Sequence, residues 1–118
     1  MQKSIINVTF DEFISETSTE NLDTLVTQWN TIQQDIVQHV SLEDRILPQN
    51  IKYIGGMDVS FSFTDKTKAI ACLIIHDYNN KAVIARFTIN ATIFVPYKAG
   101  YLAFREAPVL LKLLENVK

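Results

Sequence analysis

Three segments with the residue pattern of β-strands follow one another between residues 53 and 89. Residues 53–63 carry apolar side chains at every second position, residues 69–75 are apolar almost throughout, and residues 82–89 form a third apolar run. The polar connections between them are too short for the crossover helix that parallel neighbours need. The pattern therefore predicts a three-stranded antiparallel meander. The continuous apolar character of the middle strand also predicts burial on both of its faces.

An amphipathic helix is predicted ahead of the strands. Apolar residues recur at steps of three and four between positions 22 and 40, which is the stripe that a surface helix buries. Thr17 and Glu20 fit a capping box, in which each side chain bonds a free amide of the first turn. We expect this helix over about residues 18–40, whereas the arm at 1–16 has no assigned structure.

A second helix is predicted near the last residues. Apolar residues recur at helical spacing from Leu102 to Leu114, and Pro108 is tolerated only near a helix start. The regular part is therefore expected from about residue 103 to 117. The order α, β, β, β, α predicts an α/β protein in which flanking helices cover one small sheet. Residues 1–118 are expected to form a single domain.

The composition is that of a globular domain. Of the 118 residues, 47% are hydrophobic and 20% are charged, which excludes disordered, collagen-like and low-complexity chains. The single Cys72 cannot form an internal disulfide, and no apolar run approaches the roughly 20 residues of a membrane span. The N-terminus lacks the apolar core of a signal peptide. We expect an intracellular protein, cytoplasmic or nuclear, with no membrane partner.

The formal charge of -2 is unevenly distributed along the chain. Residues 1–50 carry two basic and eight acidic side chains, a balance of -6, whereas residues 51–118 carry nine and five, a balance of +4. The basic part leaves room for a local phosphate-binding surface, while the acidic part argues against general binding of polyanions. A chance distribution of solvated charges explains the asymmetry equally well.

Two carboxylates are candidates for chemistry. Asp58 interrupts a strand directly after Gly55-Gly56, although the alternation also fits a solvent-facing aspartate. Glu106 lies near the start of the last helix, where a glutamate commonly stabilises the positive end of the helix dipole. If the two converge, they could bind a hard cation such as Mg²⁺, which could activate water against a phosphodiester.

Two blocks that contain these carboxylates resemble the N-terminal signature blocks of the endonuclease V family. The first is Gly55-Gly56-Met57-Asp58-Val59-Ser60-Phe61, and the second is PYKAGYLAFREAP, from Pro96 to Pro108. The resemblance extends over residues 20–118. It implies a ribonuclease H-like fold, Mg²⁺ as cofactor with Mn²⁺ as a substitute, and cleavage of DNA or RNA near inosine. Asp58 and Glu106 match two metal-binding, catalytic carboxylates of the family.

The second block also implies residues that contact the substrate. Pro96 and Tyr97 match a wedge whose aromatic ring fills the space of a displaced nucleotide. Gly100 and Leu102 match the segment that lines the base pocket, and Arg105 is a candidate phosphate contact.

The chain also departs from the family pattern. Ala99 stands where many members have a proline that closes the wedge, which implies a more mobile loop. Family members are much longer, and they supply a further strand with a catalytic aspartate, a lysine near the scissile phosphate and a late acidic or histidine residue. None of these has a counterpart in the 118 residues, so the first predicted strand is expected to leave an exposed sheet edge.

Two functions follow from the resemblance. The first is a Mg²⁺-dependent endonuclease that hydrolyses phosphodiester bonds near inosine or deoxyinosine in single- or double-stranded nucleic acid, incomplete in these residues. The alternative is a catalytically silent module that binds nucleic acid through Tyr97, or that associates with itself or with a completing chain. A fragment without a function of its own is the third interpretation.

Overall fold

The computed structural model describes residues 5–15 and 21–117. They form, in chain order, β1 (Ile6–Ile14), α1 (Leu22–Val37), a 3₁₀ turn (Pro48–Asn50), β2 (Tyr53–Phe61), β3 (Lys68–Asp77), β4 (Ala82–Thr92) and α2 (Leu102–Val117). The α/β class expected from the sequence is confirmed.

The four strands form one sheet in the order β1-β4-β3-β2. The strands β2, β3 and β4 are antiparallel neighbours, which confirms the predicted meander. The sheet nevertheless has a fourth strand, because β1 from the unassigned arm runs parallel to β4. A register shift between Phe10 and Phe13 interrupts the regular alternation of β1. Alternation of apolar and polar residues therefore continues for too few positions in this segment to predict a strand.

The hydrophobic core lies between one face of the sheet and α2. Val109 and Leu113 of α2 are fully buried there. The alanines of β3 and β4 leave room for these larger side chains, so the helix can pack closely on the sheet. The buried residues of this core are Ala69, Ala71, Leu73, Ile89, Ala91, Ile93, Val109 and Leu113.

The prediction that β3 is buried on both faces is wrong. Ala69 and Ala71 are buried, whereas Ile70 between them is 51% exposed. Among the described residues, the second face carries polar side chains of neighbouring strands, including Thr9 and Thr88, whose hydroxyl oxygens are 3.0 Å apart. A short apolar run does not reveal whether a second layer covers it, since periodicity alone cannot report what packs above a strand.

The strand that carries Asp58 is shorter than predicted. β2 ends at Phe61, and Phe63 lies beyond it with 90% of its surface exposed. Val59 and Phe61 pack against the core, whereas Met57 is 41% exposed. The apolar face of β2 is therefore buried only towards its C-terminal end.

The ends of α1 differ from the prediction. The side chain of Asn21 accepts a hydrogen bond of 2.8 Å from the backbone amide of Thr24, so Asn21 caps the helix, which begins at Leu22. The predicted start at residue 18 lies outside the described residues. The predicted capping box of Thr17 and Glu20 lies outside the described residues. The helix ends at Val37, three residues before the predicted end.

The second helix agrees closely with its prediction. It begins at Leu102 and ends at Val117, with Pro108 in its second turn, where the missing amide removes one intrahelical hydrogen bond. Neither described helix is long and apolar enough to cross a membrane.

Candidate metal and nucleic-acid site

Asp58 lies on β2, at one edge of the sheet. It pairs with Cys72 of β3, and by alternation it lies on the face opposite the core residues Val59 and Phe61. Its carboxylate is exposed, and Oδ1 accepts a hydrogen bond of 2.8 Å from the backbone amide of Val59. This bond restrains the side chain beside the edge and leaves the second carboxylate oxygen available for another ligand.

The first turns of α2 are attached to the end of β2 through Arg105. The guanidinium carbon lies 3.9 Å from the centre of the Phe61 ring, a cation–π contact. Nη2 donates a hydrogen bond of 2.7 Å to the carbonyl of Lys66, in the turn between β2 and β3. The Nε atom of Arg105 is buried and has no hydrogen-bond partner among the described residues. Arg105 therefore positions the next residue, Glu106, beside the edge strand.

The electrostatics of Glu106 show that the two carboxylates interact. Burial raises the pKa of Glu106, and repulsion from the Asp58 carboxylate raises it further, while Arg105 acts in the opposite direction. The strand aspartate and the helix glutamate, far apart in sequence, therefore lie close enough for their charges to repel.

A divalent cation fits this pair of carboxylates. Mg²⁺ is commonly bound by one or two carboxylates together with waters and substrate phosphates, so two hard oxygen ligands suffice for a partial site. A cation would also offset the repulsion that raises the pKa of Glu106. Within residues 5–15 and 21–117, no group of three or more His, Cys, Asp or Glu side chains could hold a metal ion.

The loop before α2 forms a turn that presents Tyr97 to solvent. The amide of Tyr101 donates to the carbonyl of Lys98 at 3.0 Å, and Gly100 at the third position has φ +88°. This combination is typical of a type II turn, in which a side chain at the third position is strained. Tyr97, just ahead of the turn, is 61% exposed and could stack on a base.

Helix α1 supports this turn from one side. Nε2 of Gln33 donates a hydrogen bond of 2.9 Å to the carbonyl of Gly100. The Trp29 ring stacks on Phe104 with centroids 5.1 Å apart and lies 5.9 Å from Tyr101. Sequence reasoning missed both supports, since Trp29 was one member of an apolar stripe and its partners were not predictable. The only indication in the sequence of an aromatic contact was the aromatic content of the second signature block, residues 96–108.

The predicted site residues lie on β2, on the start of α2 and on the segment that leads into α2. Asp58, Glu106 and Arg105 lie where β2 meets α2, and the other predicted residues lie on the segment that leads into this helix or at its first position. Leu102 is the first residue of α2 and is 47% exposed. The predicted residues of the leading segment itself are Pro96, Tyr97 and Gly100.

Comparison with known sequences identifies the relatives of this chain. A profile of the family described as Endonuclease V matches residues 34–118. Endonuclease V of Bacillus thuringiensis is 30% identical over 94 residues, which cover 79% of this chain and 40% of the relative. Human endonuclease V is 34% identical over 68 residues, which cover 58% of this chain and 24% of the relative. The chain thus spans about 40% of the length of several curated relatives that it matches.

Solved structures show the same arrangement of strands and helices. Ciona intestinalis endonuclease V, in complex with a 24mer DNA containing an inosine followed by a ribo-adenosine, superposes with a TM-score of 0.77 at 29% identity. The match covers 81% of this chain and 41% of that structure. The catalytic domain of human endonuclease V superposes with a TM-score of 0.74 at 30% identity, covering 83% of this chain and 42% of that structure.

The sheet, the helix that packs on it and the carboxylate pair at their junction define an α/β domain of the ribonuclease H-like class. Within that class, the profile match over residues 34–118 is decisive. The chain belongs to the endonuclease V family.

Proposed function

We propose that this chain takes part in the hydrolysis of phosphodiester bonds near inosine or deoxyinosine in nucleic acid. The observation that carries the proposal is the convergence of Asp58 and Glu106 at the start of α2, next to the loop that presents Tyr97. The substrate class is supported by the Ciona relative, which was solved with inosine-containing DNA.

Asp58 and Glu106 are the proposed ligands of Mg²⁺ or Mn²⁺. When bound, the cation would lower the pKa of a water molecule and neutralise charge on the phosphodiester. Oδ1 of Asp58 accepts a hydrogen bond from the Val59 amide, which restrains the side chain. The other carboxylate oxygen would bind the cation. Glu106 must be ionised to bind, and its raised pKa means that binding strengthens as the pH rises through that value.

The loop residues are proposed to hold the nucleic acid. Tyr97 would stack in the gap left by a displaced nucleotide, with Pro96 restricting the backbone before it. Gly100 and Leu102 would line the base pocket, since Gly100 lies in the turn and Leu102 begins α2. Arg105 uses one donor on Lys66, and its remaining outer donors are proposed to contact phosphate.

A cleavage assay tests the nuclease. The purified chain is incubated with single-stranded RNA and DNA that contain one inosine, with Mg²⁺ or with EDTA. Any cleavage by the chain should require the cation and the inosine and should be lost in Asp58→Asn and Glu106→Gln. Glu115→Gln is the matched control, because Glu115 lies exposed near the other end of α2. Cleavage that survives loss of both carboxylates would contradict the proposed site.

The second candidate function is binding without cleavage. It is favoured because no third metal-ligating side chain joins the pair within the described part of the chain. In that case the chain would bind inosine-containing oligonucleotides without cutting them. Fluorescence anisotropy should then show weaker binding for Tyr97→Ala but not for Tyr78→Ala, a tyrosine that is 42% exposed in the turn after β3. A loss of about 1–3 kcal/mol is expected for one stacked base.

A further inference from the structure

The peptide between Gly100 and Tyr101 is hydrogen-bonded at both of its ends. Its carbonyl accepts a bond of 2.9 Å from Nε2 of Gln33, and its amide donates a bond of 3.0 Å to the carbonyl of Lys98. The first bond comes from α1, and the second closes the turn ahead of α2. Rotation of this peptide would therefore break two hydrogen bonds at once.

The glycine in this turn makes an outside restraint useful. Gly100 has φ +88°, and a Cβ atom there would meet nothing within 4 Å, so the backbone angle rather than crowding favours glycine. Glycine can adopt a wider range of backbone angles than other residues. The residue that permits the turn is therefore also the point where the backbone can reorient most easily. The hydrogen bond from Gln33 opposes that reorientation from outside the turn.

A second contact from the same face of α1 holds the residues that follow the turn. Trp29 lies one helical turn before Gln33, so both side chains lie on the same face of α1. The centroid of the Trp29 ring lies 5.9 Å from that of Tyr101 and 5.1 Å from that of Phe104. These two residues flank Leu102, the predicted pocket residue that begins α2. Helix α1 therefore restrains the chain on both sides of the start of α2.

The orientation of main-chain groups matters for telling inosine from adenosine. Adenosine presents an amino group as donor and the adjacent ring nitrogen as acceptor, whereas inosine presents a carbonyl acceptor and a ring N–H donor. A site built from hydrogen-bonding groups rejects the wrong base because its own polar groups are then left without partners. Main-chain groups can make this distinction only when their orientation is fixed, since a rotated peptide redirects both its donor and its acceptor.

We propose that Gln33 is a positioning residue for base discrimination, which fixes the Gly100–Tyr101 peptide so that the pocket segment favours inosine over adenosine. This role rests on the proposed function, in which Gly100 and Leu102 line the base pocket. Gln33 acts through the main chain, since its half-buried side chain lies between α1 and α2 and its amide donates to the Gly100 carbonyl. That carbonyl oxygen has a second lone pair, so the bond from Gln33 does not prevent it from accepting another.

The ratio of affinities for two oligonucleotides tests this role. Fluorescence anisotropy is measured with a single-stranded DNA that contains one inosine and with the same DNA carrying adenosine in its place. Gln33→Met removes the donor but keeps an unbranched side chain of similar length, which suits the apolar groove that Gln33 lines with Ala103 and Phe104. We expect the preference of the wild type for inosine to fall about two- to tenfold in Gln33→Met, the range for one lost hydrogen bond.

A rescue variant and a matched control separate positioning from a general loss of stability. Gln33→Lys restores a donor at a similar reach and should recover part of the preference. Gln34→Met, at the exposed neighbouring position of α1, should leave the preference unchanged. A variant that is only less stable loses affinity for both oligonucleotides equally, because unfolded molecules bind neither, so the ratio stays the same.

The fluorescence of Trp29 reports the same restraint without nucleic acid. Trp29 is the single tryptophan of the 118 residues, and its ring contacts Tyr101 and Phe104. It is 8% exposed, so quenching by acrylamide should be weak in the wild type and in Gln34→Met. We expect stronger quenching in Gln33→Met, because the segment then moves more freely beside α1 and uncovers the ring.

The contrary outcomes separate failure of this role from failure of the proposed function. A wild type without preference for inosine contradicts both. A wild type that prefers inosine, with the same preference in Gln33→Met, overturns the role of Gln33 and leaves the proposed function in place. A preference that is lost while the quenching of Trp29 stays unchanged also overturns positioning, since Gln33 would then act by direct contact with the base.

Discussion

Helices α1 and α2 are both 16 residues long and both carry an apolar stripe, yet they have different roles. The buried residues of α2, Val109 and Leu113, belong to the core of the sheet. In α1 the buried Trp29 packs on Tyr101 and Phe104, in the segment that carries the predicted nucleic-acid contacts. The comparison shows that α2 builds the fold, whereas α1 supports the loop at the site.

The second half of α1 is more exposed than the part around Trp29. An apolar groove of about 600 Å³ lies between this part of α1 and α2. Ile36 and Val37 of α1 line it and remain 55% and 68% exposed. The apolar stripe of α1 is therefore buried at Leu25 and Trp29 but not at its second half, which makes this helix the weaker contributor to stability.

The largest expected effect is in the core. Leu113→Ala should lower the free energy of unfolding by about 2–5 kcal/mol, because it removes a fully buried side chain and leaves a cavity. Leu111→Ala, two residues away and 60% exposed, should lower it by less than about 1 kcal/mol. Urea denaturation measures both. Equal losses would mean that α2 does not build the core as described.

A smaller effect is expected where α1 meets the loop. Gln33→Ala removes the hydrogen bond to the Gly100 carbonyl and should lower the free energy of unfolding by about 0.5–1.5 kcal/mol. Gln34→Ala, an exposed neighbour on the same helix, serves as the control and should change little. The same denaturation experiment applies. A Gln33→Ala variant as stable as the wild type would argue that α1 does not hold the turn.

The turn itself can be made more rigid. Ala99 occupies the second position of the turn closed by Lys98 and Tyr101, where proline is favoured. Ala99→Pro should raise the free energy of unfolding by about 0.4–1 kcal/mol, since it restricts the unfolded chain more than the folded turn. Gly100→Ala should have the opposite sign because of its φ of +88°. Thermal unfolding of both variants decides whether the turn has the described geometry.

The smallest effect concerns Glu106 and pH. Its pKa is raised in the folded chain by burial and by Asp58, so its stabilising contribution is complete below the ordinary glutamate pKa and is lost as the pH rises through the raised value. Glu106→Gln should therefore be more stable than the wild type at neutral pH, by less than about 1 kcal/mol, and should lose this advantage in acid. Thermal unfolding as a function of pH, with Glu115→Gln as control, measures the difference. A Glu106→Gln variant without any advantage at neutral pH would remove the electrostatic argument for the pair.

Much of the fold could be predicted because its signals are local. The meander is visible in the alternation of β2, in the apolar runs of β3 and β4 and in the short connections between strands. Strand β1 could not be predicted, since its register shift breaks the alternation and its partner β4 is distant in sequence. The exposure of Ile70 was also unpredictable, because an apolar side chain does not report whether another layer lies above it.

The candidate site, too, was predictable only where its signals are local in sequence. Asp58 and Glu106 were identified by residue type and by resemblance, and their proximity was only an expectation until the fold was known. The contacts of Arg105 with Phe61 and Lys66, which attach α2 to the end of β2, could not be predicted because they join residues that are distant in sequence. The roles of Pro96, Tyr97, Gly100 and Leu102 stay predictions for the binding and cleavage assays.

The sequence by itself determined the class of the protein, the antiparallel meander and the family to which the chain is similar, because periodicity and signature blocks are properties of neighbouring residues. The tertiary structure alone decided which helix builds the core and where β1 joins the sheet. These depend on contacts between residues that are distant in the chain, and such contacts are formed by the packing of side chains rather than by local preference.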